Sequence, residues 1–391
     1  MAFSIDKGSS YACPVARIGI IGGGQLGLML SRAARRLGCE CVILDPVPEA
    51  PASQAASRQI VGGYSDAQSV RELAAQCDII TFELEDIDVA PLEALEAEGF
   101  SIQPAARVLA MIQDKLTQKQ FLRDAGIPTS DFLETPQPDE KLFADFGYPL
   151  VQKTRRGGYD GRGVAVMHSA EDFANNLPVT SFIEKFVKAE KEISVLVARN
   201  ASGDCKAYPV VEMVFVEGHN VLDVLLAPAR IDDNIAEQAQ LLGMKTVQAL
   251  EGVGVFGVEM FLTAEGDLLV NEVAPRTHNS GHQSIEANVT DQFEQHIRAI
   301  LNMPLGNTDL LSPAAMVNLL GEPGSQGCPV IRGMNETLAI DGVSVHLYGK
   351  SVTKPYRKMG HATVLDNDIQ KAWDKAETVK KTLVIEGEHS L

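Results

Sequence analysis

The chain has 391 residues, of which 45% are hydrophobic and 22% charged, so it is long enough for two or three globular domains. Its 34 basic and 52 acidic residues give a formal charge of −18, which argues against nucleic acid or an anionic membrane as a partner. No apolar run approaches the roughly 20 residues that cross a bilayer, and residues 1–14 lack the layout of a secretion signal. We therefore expect a cytoplasmic protein whose six scattered cysteines are reduced and mostly buried.

The first predicted elements form a βαβ unit that follows an extension at residues 1–16. A strand at 18–21 leads into a glycine turn at 22–27, a helix at 28–37 closed by Gly38, and a strand at 41–44. Asp45 ends the second strand at the spacing typical of dinucleotide-binding domains. The same glycines also suit a doubly wound domain whose helix packs closely on its strand, or one that places a phosphorylated substrate at the sheet edge.

The α/β alternation continues with a helix at 67–76, a strand at 78–82, a helix at 90–98 and a strand near 101. The first domain ends near 114. Glu83 and Glu85 follow the strand at 78–82, at the sheet edge where open α/β sheets bind ligands. Two solvated loop carboxylates are the alternative in so acidic a chain.

A glycine-rich loop follows a predicted helix at 115–125. The stretch 153–163, KTRRGGYDGRG, has four glycines and three arginines between two short β-prone runs. Successive glycine N–H groups can cradle anionic oxygens, so the loop predicts a phosphate-binding hairpin that closes as a mobile flap. An ordinary glycine-rich turn is the alternative. A strand at 180–187 then runs into a predicted hinge.

A second hairpin is predicted from strands at 254–263 and 268–274, joined by a four-residue loop. If Thr263 opposes Leu268, then Glu259 opposes Glu272 and Met260 opposes Asn271. Two opposed carboxylates repel unless a cation lies between them, and hard oxygen ligands suit Mg²⁺. The alternative is a pair of outward, solvated glutamates.

These features occur in the order of an ATP-grasp enzyme, and several strings narrow the resemblance. GGGQLG at 22–27, TFELE at 81–85, RRGGYDGRG at 155–163, NEVAPRTHNSGH at 271–282 and RKMGH at 357–361 closely resemble the N5-carboxyaminoimidazole ribonucleotide synthetase family. The resemblance covers residue 17 to the C-terminus. It implies an α/β fold with a doubly wound pre-ATP-grasp domain at 17–113, a two-lobed ATP-grasp domain at 114–310 with its flap lobe at about 145–190, and a small β-rich domain at 311–391.

The resemblance also implies the reaction. ATP would phosphorylate bicarbonate to carboxyphosphate, whose carboxyl group the amine of aminoimidazole ribonucleotide captures, in de novo purine synthesis. The ATP-binding residues implied are Lys115, Lys153, Gly158, Tyr159, Asp160, Gly161, Arg162, Gly163, Val164, Glu184, Lys185, Phe186, Val187, Glu192, Phe215, Asn271 and Glu272. The metal ligands are Glu259 and Glu272; the catalytic residues are Tyr159, Asp160, Arg162, Arg276 and His278; and the residues that bind the ribonucleotide are Gln25, Glu83, Asn279, Lys350 and Arg357.

Two positions depart from the family pattern, and three other functions remain open. Leu28 stands where the family commonly has arginine, and Phe215 stands where many members have a histidine that contacts adenine. The alternatives are another ATP-grasp ligase, an NAD-dependent oxidoreductase built on the glycine turn and Asp45, and a nucleotide-binding regulator without turnover. A homodimer is expected from the resemblance alone.

Overall fold

The computed structural model describes residues 13–157, 163–215 and 222–388. Its N-terminal part is a four-stranded parallel sheet in the order β3-β2-β1-β4, with helices on both faces. The strands are β1 (Arg17–Ile21), β2 (Glu40–Asp45), β3 (Arg58–Val61) and β4 (Ile79–Phe82), and the helices are α1 (Gln25–Arg36), α2 (Ala67–Ala74), α3 (Val89–Ala97) and α4 (Ala106–Gln113), with a short 3₁₀ helix at Pro51–Gln54. The predicted doubly wound domain is confirmed.

Two details of this sheet differ from the sequence prediction. The strand expected near 101 is only a single bridge between Ile80 and Ile102. Pro104 follows almost at once and has no N–H to extend the ladder. The N-terminal extension also joins the fold before residue 17, because Ala16 is buried and the N–H of Val15 donates to the carbonyl of Gly38.

A second four-stranded sheet carries the glycine-rich hairpin. Its antiparallel strands lie in the order β5-β8-β6-β7, and Lys153 pairs with Val164 at the mouth of the loop. The elements are α5 (Lys115–Asp124), β5 (Phe132–Thr135), α6 (Glu140–Phe146), β6 (Leu150–Thr154), β7 (Val164–Met167) and β8 (Ser181–Lys185), with a 3₁₀ helix at Ala170–Asn175. The two strands predicted to flank the loop are confirmed, and residues 158–162 at its tip lie outside the described part.

The largest sheet of the described residues has nine strands and continues into the C-terminal region. Its order is β14-β13-β9-β11-β12-β15-β18-β17, with β10 beside β9. Its strands are β9 (Ala189–Arg199), β10 (Cys205–Ala207), β11 (Val211–Phe215), β12 (Leu222–Ala227), β13 (Gly254–Thr263), β14 (Leu268–Ala274), β15 (Ala314–Leu320), β17 (Val343–Leu347) and β18 (Lys358–Leu365). A separate two-stranded sheet pairs β16 (Cys328–Arg332) with β19 (Val384–Glu388). The helices are α7 (Asp233–Leu250), α8 (Ser284–Ala287), α9 (Gln292–Ile300), α10 (Met334–Leu338) and α11 (Ile369–Thr382), with a 3₁₀ helix at Asn279–Gly281.

The N-terminal and central sheets are joined through α9. Its His296 is fully buried, with Nδ1 3.1 Å from the backbone N of Val255 on β13 and Nε2 2.8 Å from Oγ1 of Thr81 on β4. Because the N–H of Val255 donates to Nδ1, the neutral ring carries its proton on Nε2 and donates it to Thr81. One side chain therefore ties together the two sheets that border the candidate site.

The cysteines are less buried than the sequence predicted. All six cysteines are free thiols, but only Cys39 and Cys41 are buried while Cys13 and Cys328 are exposed, so the expectation of mostly buried thiols was wrong. Across the described ranges, no helix combines the length and apolar character that a membrane span requires.

Candidate active site

The two predicted metal ligands lie on neighbouring strands. Glu259 on β13 pairs directly with Glu272 on β14, as predicted, but the predicted pairing of Met260 with Asn271 is wrong because Met260 pairs with Val270. The turn is one residue longer than expected: Leu262 pairs with Leu268, and the N–H of Thr263 donates to the carbonyl of Asp267. Asn271 is the extra residue of a β-bulge, and this bulge restores the Glu259–Glu272 pairing.

The charges around these carboxylates are unequal. The Lys115 ammonium hydrogen-bonds Glu272 and, against the effect of burial, lowers the pKa of that carboxyl. Glu259 has no such lysine; its partial burial, together with the negative charges of Glu272 and Glu192, raises its pKa to about 8. At neutral pH the pair therefore has one ionised carboxylate, Glu272, and one carboxyl, Glu259, that keeps its proton until a cation binds beside it.

A buried group of opposite charges lies beside the hairpin. Both oxygens of the Glu184 carboxylate are engaged: Oε1 by Lys153 and Oε2 by Lys119, whose Nζ is 2.9 Å away. Lys153 also donates to Oδ1 of Asn271 at 3.0 Å. Lys119 was not among the predicted site residues, although it lies one helical turn after Lys115 and therefore on the same face of α5.

Arg276 and His278 lie in the loop that follows β14. Arg276 Nη2 forms an ion pair with Glu85, 2.9 Å from Oε1. Burial and the charge of Arg276 lower the pKa of His278 to about 3, so this imidazole is neutral. Its Nδ1 accepts from the N–H of Ser280 at 3.3 Å, which leaves the proton on Nε2, 3.6 Å from Oε1 of Glu259.

The backbone of this loop is fixed by Gln292, a residue that the sequence analysis did not single out. The N–H of His278 donates to Gln292 Oε1 and the carbonyl of His278 accepts from Gln292 Nε2, both at 2.8 Å. Oδ1 of Asn279 accepts from Asn318 on β15 at 3.0 Å. The loop is therefore held from two sides, by α9 and by the C-terminal part of the large sheet.

The glycine turn has its amides occupied by the protein itself. The N–H of Gly23 donates to Asp45 Oδ2 at 2.8 Å, and Tyr64 donates to the same oxygen. Glu83 accepts from the N–H groups of Gly24 and Gly27. A Cβ atom on Gly24 would lie 2.7 Å from Glu83 Oε1, so glycine is what lets the carboxylate approach.

These contacts have two consequences. Because Glu83 satisfies first-turn donors, α1 begins at Gln25 rather than at the predicted residue 28. Because the N–H groups of Gly23, Gly24 and Gly27 already donate to Asp45 and Glu83, they are not available to a pyrophosphate, and the turn does not have the open geometry of an NAD site. The oxidoreductase alternative therefore loses the feature on which it depended.

The C-terminal segment 346–361, which carries Lys350 and Arg357, is partly buried. Its Tyr348 and His361 are buried and hydrogen-bonded to each other at 3.0 Å. Lys350 Nζ lies 5.5 Å from the centre of the Tyr348 ring and donates to the carbonyl of Lys358 at 2.7 Å. Arg357 donates to the carbonyl of Val352 at 2.6 Å.

Comparison with known proteins assigns most of the chain to three family models. They are the "Ribonucleotide synthetase preATP-grasp domain" at residues 15–113, the "ATP-grasp domain" at 120–293 and the "Phosphoribosylaminoimidazole carboxylase C-terminal domain" at 314–375. The chain is 41% identical over 359 residues to the N5-carboxyaminoimidazole ribonucleotide synthase of Brucella melitensis, covering 90% of this chain and 96% of the relative. The chain belongs to the N5-carboxyaminoimidazole ribonucleotide synthase family.

Solved structures of this family have the same fold. The synthetase from Thermotoga maritima has a TM-score of 0.89 and 48% sequence identity, covering 95% of this chain and all of that one. A synthase from Aspergillus clavatus, described in complex with ADP and 5-aminoimidazole ribonucleotide, has a TM-score of 0.86 and 32% identity, covering 94% and 98% of the two chains. The plant and yeast relatives named phosphoribosylaminoimidazole carboxylase are longer, and the chain spans only 64% to 67% of their length.

The structure brings many of the residues implied by the synthase family resemblance to one region. Lys115 hydrogen-bonds Glu272, and Lys153 hydrogen-bonds the neighbouring Asn271 and pairs with Glu184. Burial raises the pKa of Glu192, whose neighbours across the sheet are Phe261 and Met213. The remaining residues lie as follows: Gln25 at the start of α1, Gly163 and Val164 at the mouth of the flap, Phe186 and Val187 directly after β8, and Phe215 at the end of β11.

Some predicted residues do not enter this cluster. Lys185 donates instead to the carbonyls of Phe146 and Gly147, the latter at 2.9 Å. The flap residues Gly158, Tyr159, Asp160, Gly161 and Arg162 lie outside the described residues. Lys119 and Gln292 belong to the site but were missed, and Glu85 was recognised without its partner Arg276, because these roles depend on contacts between distant segments.

Proposed function

We propose that the chain uses ATP and bicarbonate to carboxylate 5-aminoimidazole ribonucleotide, giving N5-carboxyaminoimidazole ribonucleotide, ADP and phosphate in purine synthesis. The observation that carries this proposal is the convergence of Lys115, Lys153, Glu259, Glu272 and the Arg276–His278 loop at one edge of the large sheet. The complex of the Aspergillus clavatus synthase with ADP and 5-aminoimidazole ribonucleotide supports the choice of substrates.

The proposed nucleotide site lies between the sheet that carries the glycine-rich hairpin and the nine-stranded sheet. Lys115 and Lys153 would bind the ATP phosphates, residues 158–164 would cover them, and Phe186 and Val187 would contact adenine. Glu192 would accept from the ribose hydroxyls, and Phe215 would give adenine a ring contact without a hydrogen bond. Closure of the flap would exclude water from a mixed anhydride that hydrolyses readily.

Glu259 and Glu272 fit the requirements of a magnesium ion. Among the described residues, no group of three or more His, Cys, Asp or Glu side chains could hold a metal ion by itself. Magnesium is nevertheless commonly held by one or two carboxylates together with substrate phosphates, and two directly opposed carboxylates form such a donor pair. Glu259 and Glu272 would hold the ion, which when bound would offset charge that develops during phosphoryl transfer.

The carboxylation step is proposed to occur beside Arg276 and His278. A bicarbonate oxygen would attack the γ-phosphorus of ATP, with ADP leaving. Carboxyphosphate would then split into CO₂ and inorganic phosphate, and the exocyclic amine of the ribonucleotide would attack the CO₂ and give up a proton to that phosphate. Tyr159, Asp160 and Arg162 of the flap would enclose the anhydride together with Arg276, whose guanidinium is oriented by Glu85. His278, being neutral, would donate one hydrogen bond from Nε2 rather than supply a charge.

The ribonucleotide would bind between the N-terminal and C-terminal parts of the chain. Lys350 and Arg357 would bind its 5′-phosphate, and Gln25, Glu83 and Asn279 would contact its sugar and base. The boundaries 17–113, 114–310 and 311–391, the homodimer and the cytoplasmic location are proposed on the family resemblance.

The decisive experiment is an assay of the purified protein with ATP, Mg²⁺, bicarbonate and 5-aminoimidazole ribonucleotide. ADP formation should depend on the presence of the ribonucleotide, and the carboxylated ribonucleotide should carry label from ¹³C-bicarbonate. ADP formation with formate and another acceptor, but not with this ribonucleotide, would favour a different ATP-grasp ligase. Nucleotide binding without any turnover would favour a regulator.

A further inference from the structure

Lys119 is a buried lysine outside the set of residues that the proposed function uses. Only 3% of its surface is exposed, and its Nζ lies 2.7 Å from Thr129 Oγ1, 2.9 Å from Ser130 Oγ and 2.9 Å from Glu184 Oε2. An ammonium group has three N–H donors, and here each has one acceptor. Lys119 therefore has no donor left for a ligand, and any effect on the nucleotide must pass through its neighbours.

The acceptors of Lys119 are themselves fixed. Ser130 donates to Glu184 Oε2 at 2.8 Å, and Thr129 donates to the carbonyl of Val270 on β14 at 2.7 Å. The lysine thus connects α5, the strand that leads into the predicted hinge, and the hairpin that carries Glu272. Burial of so many polar atoms is costly unless all are paired, and these are.

The charge count of this group is unusual. Glu184 carries one negative charge and is shared by two lysines, so Lys119, Lys153 and Glu184 together carry a net charge of +1. Lys153 is the member that reaches outward, with 14% of its side chain exposed against 4% for Lys119 and 3% for Glu184. A one-to-one pair of Lys153 with Glu184 would be neutral and would attract a phosphate far less strongly.

We propose that Lys119 is a positioning residue for nucleotide binding: by sharing the Glu184 carboxylate it keeps Lys153 oriented while leaving its positive charge available to the ATP phosphates. This inference rests on the proposed function, in which Lys153 binds those phosphates. It assigns to Lys119 an electrostatic role that acts through Glu184 and not through contact with ATP.

The test compares Lys119→Met with the double variant Lys119→Met/Glu184→Gln. In the single variant the negative charge of Glu184 is neutralised by Lys153 alone, so ATP should bind more weakly. The Kd for ATP, measured by calorimetry, and the KM for ATP should each rise by about tenfold, equivalent to about 1.4 kcal/mol. In the double variant the competing charge is also removed, and the Kd should return to within about threefold of the wild-type value. Thermal unfolding of each variant verifies that it is folded.

Lys380→Met is the matched control. Lys380 also pairs with two carboxylates, Asp223 and Glu377, but lies in α11 on the C-terminal side of the large sheet. Its loss should leave the Kd for ATP unchanged. An unchanged Kd in Lys119→Met, or a double variant as weak as the single one, would overturn the inference while leaving the proposed function intact.

A separate comparison covers the case in which Lys119→Met does not fold. The double variant is then compared with Glu184→Gln: equal ATP affinity supports an effect that passes through Glu184, whereas a further loss overturns it. Absence of ATP binding or of ribonucleotide-dependent ADP formation by the wild-type protein would instead contradict the proposed function itself.

Discussion

Glu259 lies directly opposite Glu272 because Asn271, the next residue of β14 on the side of the turn, forms a β-bulge. Without the bulge, the register that begins at Leu262 and Leu268 would place Asn271 opposite Glu259 and turn Glu272 to the other face of the sheet. The bulge also leaves the Asn271 side chain within 3.0 Å of Lys153. One inserted residue therefore positions both a carboxylate pair and a partner for a phosphate-binding lysine.

The first prediction concerns Glu272→Gln. Removing the negative charge should break the ion pair with Lys115 and lower Mg²⁺-dependent turnover by about 100-fold or more, because half of the proposed metal ligand pair is lost. Steady-state rates measured over a range of Mg²⁺ concentrations test this. Glu265→Gln, in the exposed turn of the same hairpin, is the control and should behave like the wild type. Near-normal turnover with the same Mg²⁺ dependence would contradict the metal assignment.

The second prediction concerns Arg357→Ala. Loss of a charge-assisted contact worth roughly 1.5 to 3 kcal/mol should raise the KM for 5-aminoimidazole ribonucleotide by about one to two orders of magnitude, with little change in the KM for ATP. Kinetics with each substrate varied in turn measure both constants. Lys371→Ala removes an exposed cation of α11 and should change neither. If ATP affinity falls and the ribonucleotide KM does not, the segment 346–361 does not bind the substrate phosphate.

The third prediction concerns pH and His296. Burial lowers its pKa to about 3 from an unfolded value near 6.5, so the unfolded chain binds a proton here that the folded protein does not. This difference in pKa contributes fully to the free energy of unfolding above pH 6.5, and the contribution falls as the pH decreases toward 3. Between pH 8 and pH 5 the wild type should lose roughly 2 kcal/mol of unfolding free energy at this residue.

His296→Gln tests that assignment. The variant should be less stable at pH 8 by roughly 1 to 3 kcal/mol, because Thr81 and Val255 lose their partner, but its stability should fall less steeply with acid. Guanidinium unfolding at pH 8 and pH 5 measures both effects. His168→Gln, at an exposed position, is the control. A variant with the same acid slope as the wild type would show that His296 is not the group that titrates.

The fourth prediction concerns Asp45→Asn. Its carboxylate accepts from Gly23, Val47 and Tyr64, so the substitution should lower the free energy of unfolding by roughly 1 to 3 kcal/mol and leave the KM for ATP within about twofold. Millimolar NAD should not raise the melting temperature of the wild-type protein, whereas ATP with Mg²⁺ should. Stabilisation by NAD would reopen the oxidoreductase alternative.

Local sequence patterns predicted the positions of many strands and helices. The hairpin strands Gly254–Thr263 and Leu268–Ala274 have the predicted bounds, because a glycine-containing loop between apolar runs is a strong short-range signal. The register near the turn was wrong because turn length alone cannot reveal a bulge. The Glu259–Glu272 pairing was confirmed even so, since the extra turn residue and the bulge compensate each other.

Other parts of the site could not be predicted from local patterns. Lys119 and Glu184 are separated by 65 positions, and only the tertiary fold brings α5 and β8 close enough for this ion pair. Glu85 was recognised as a sheet-edge carboxylate, but its partner Arg276 lies almost 200 positions away. Spacing rules describe neighbours on one helix or hairpin, whereas these contacts depend on how whole sheets pack.

The proposed boundary between the central and C-terminal regions, at residues 310 and 311, does not interrupt the large sheet. Strand β12 of the central region pairs with β15 of the C-terminal region, with Val224 opposite Val317 and Ala227 opposite Ala314. The C-terminal region is therefore a continuation of the central sheet and not an appended module. A chain cut at this point would leave β12 with a bare row of N–H and C=O groups, which is a template for intermolecular strand addition. Truncation should consequently produce aggregates rather than a smaller enzyme, and hydrogen exchange should report β12 and β15 opening as a single unit.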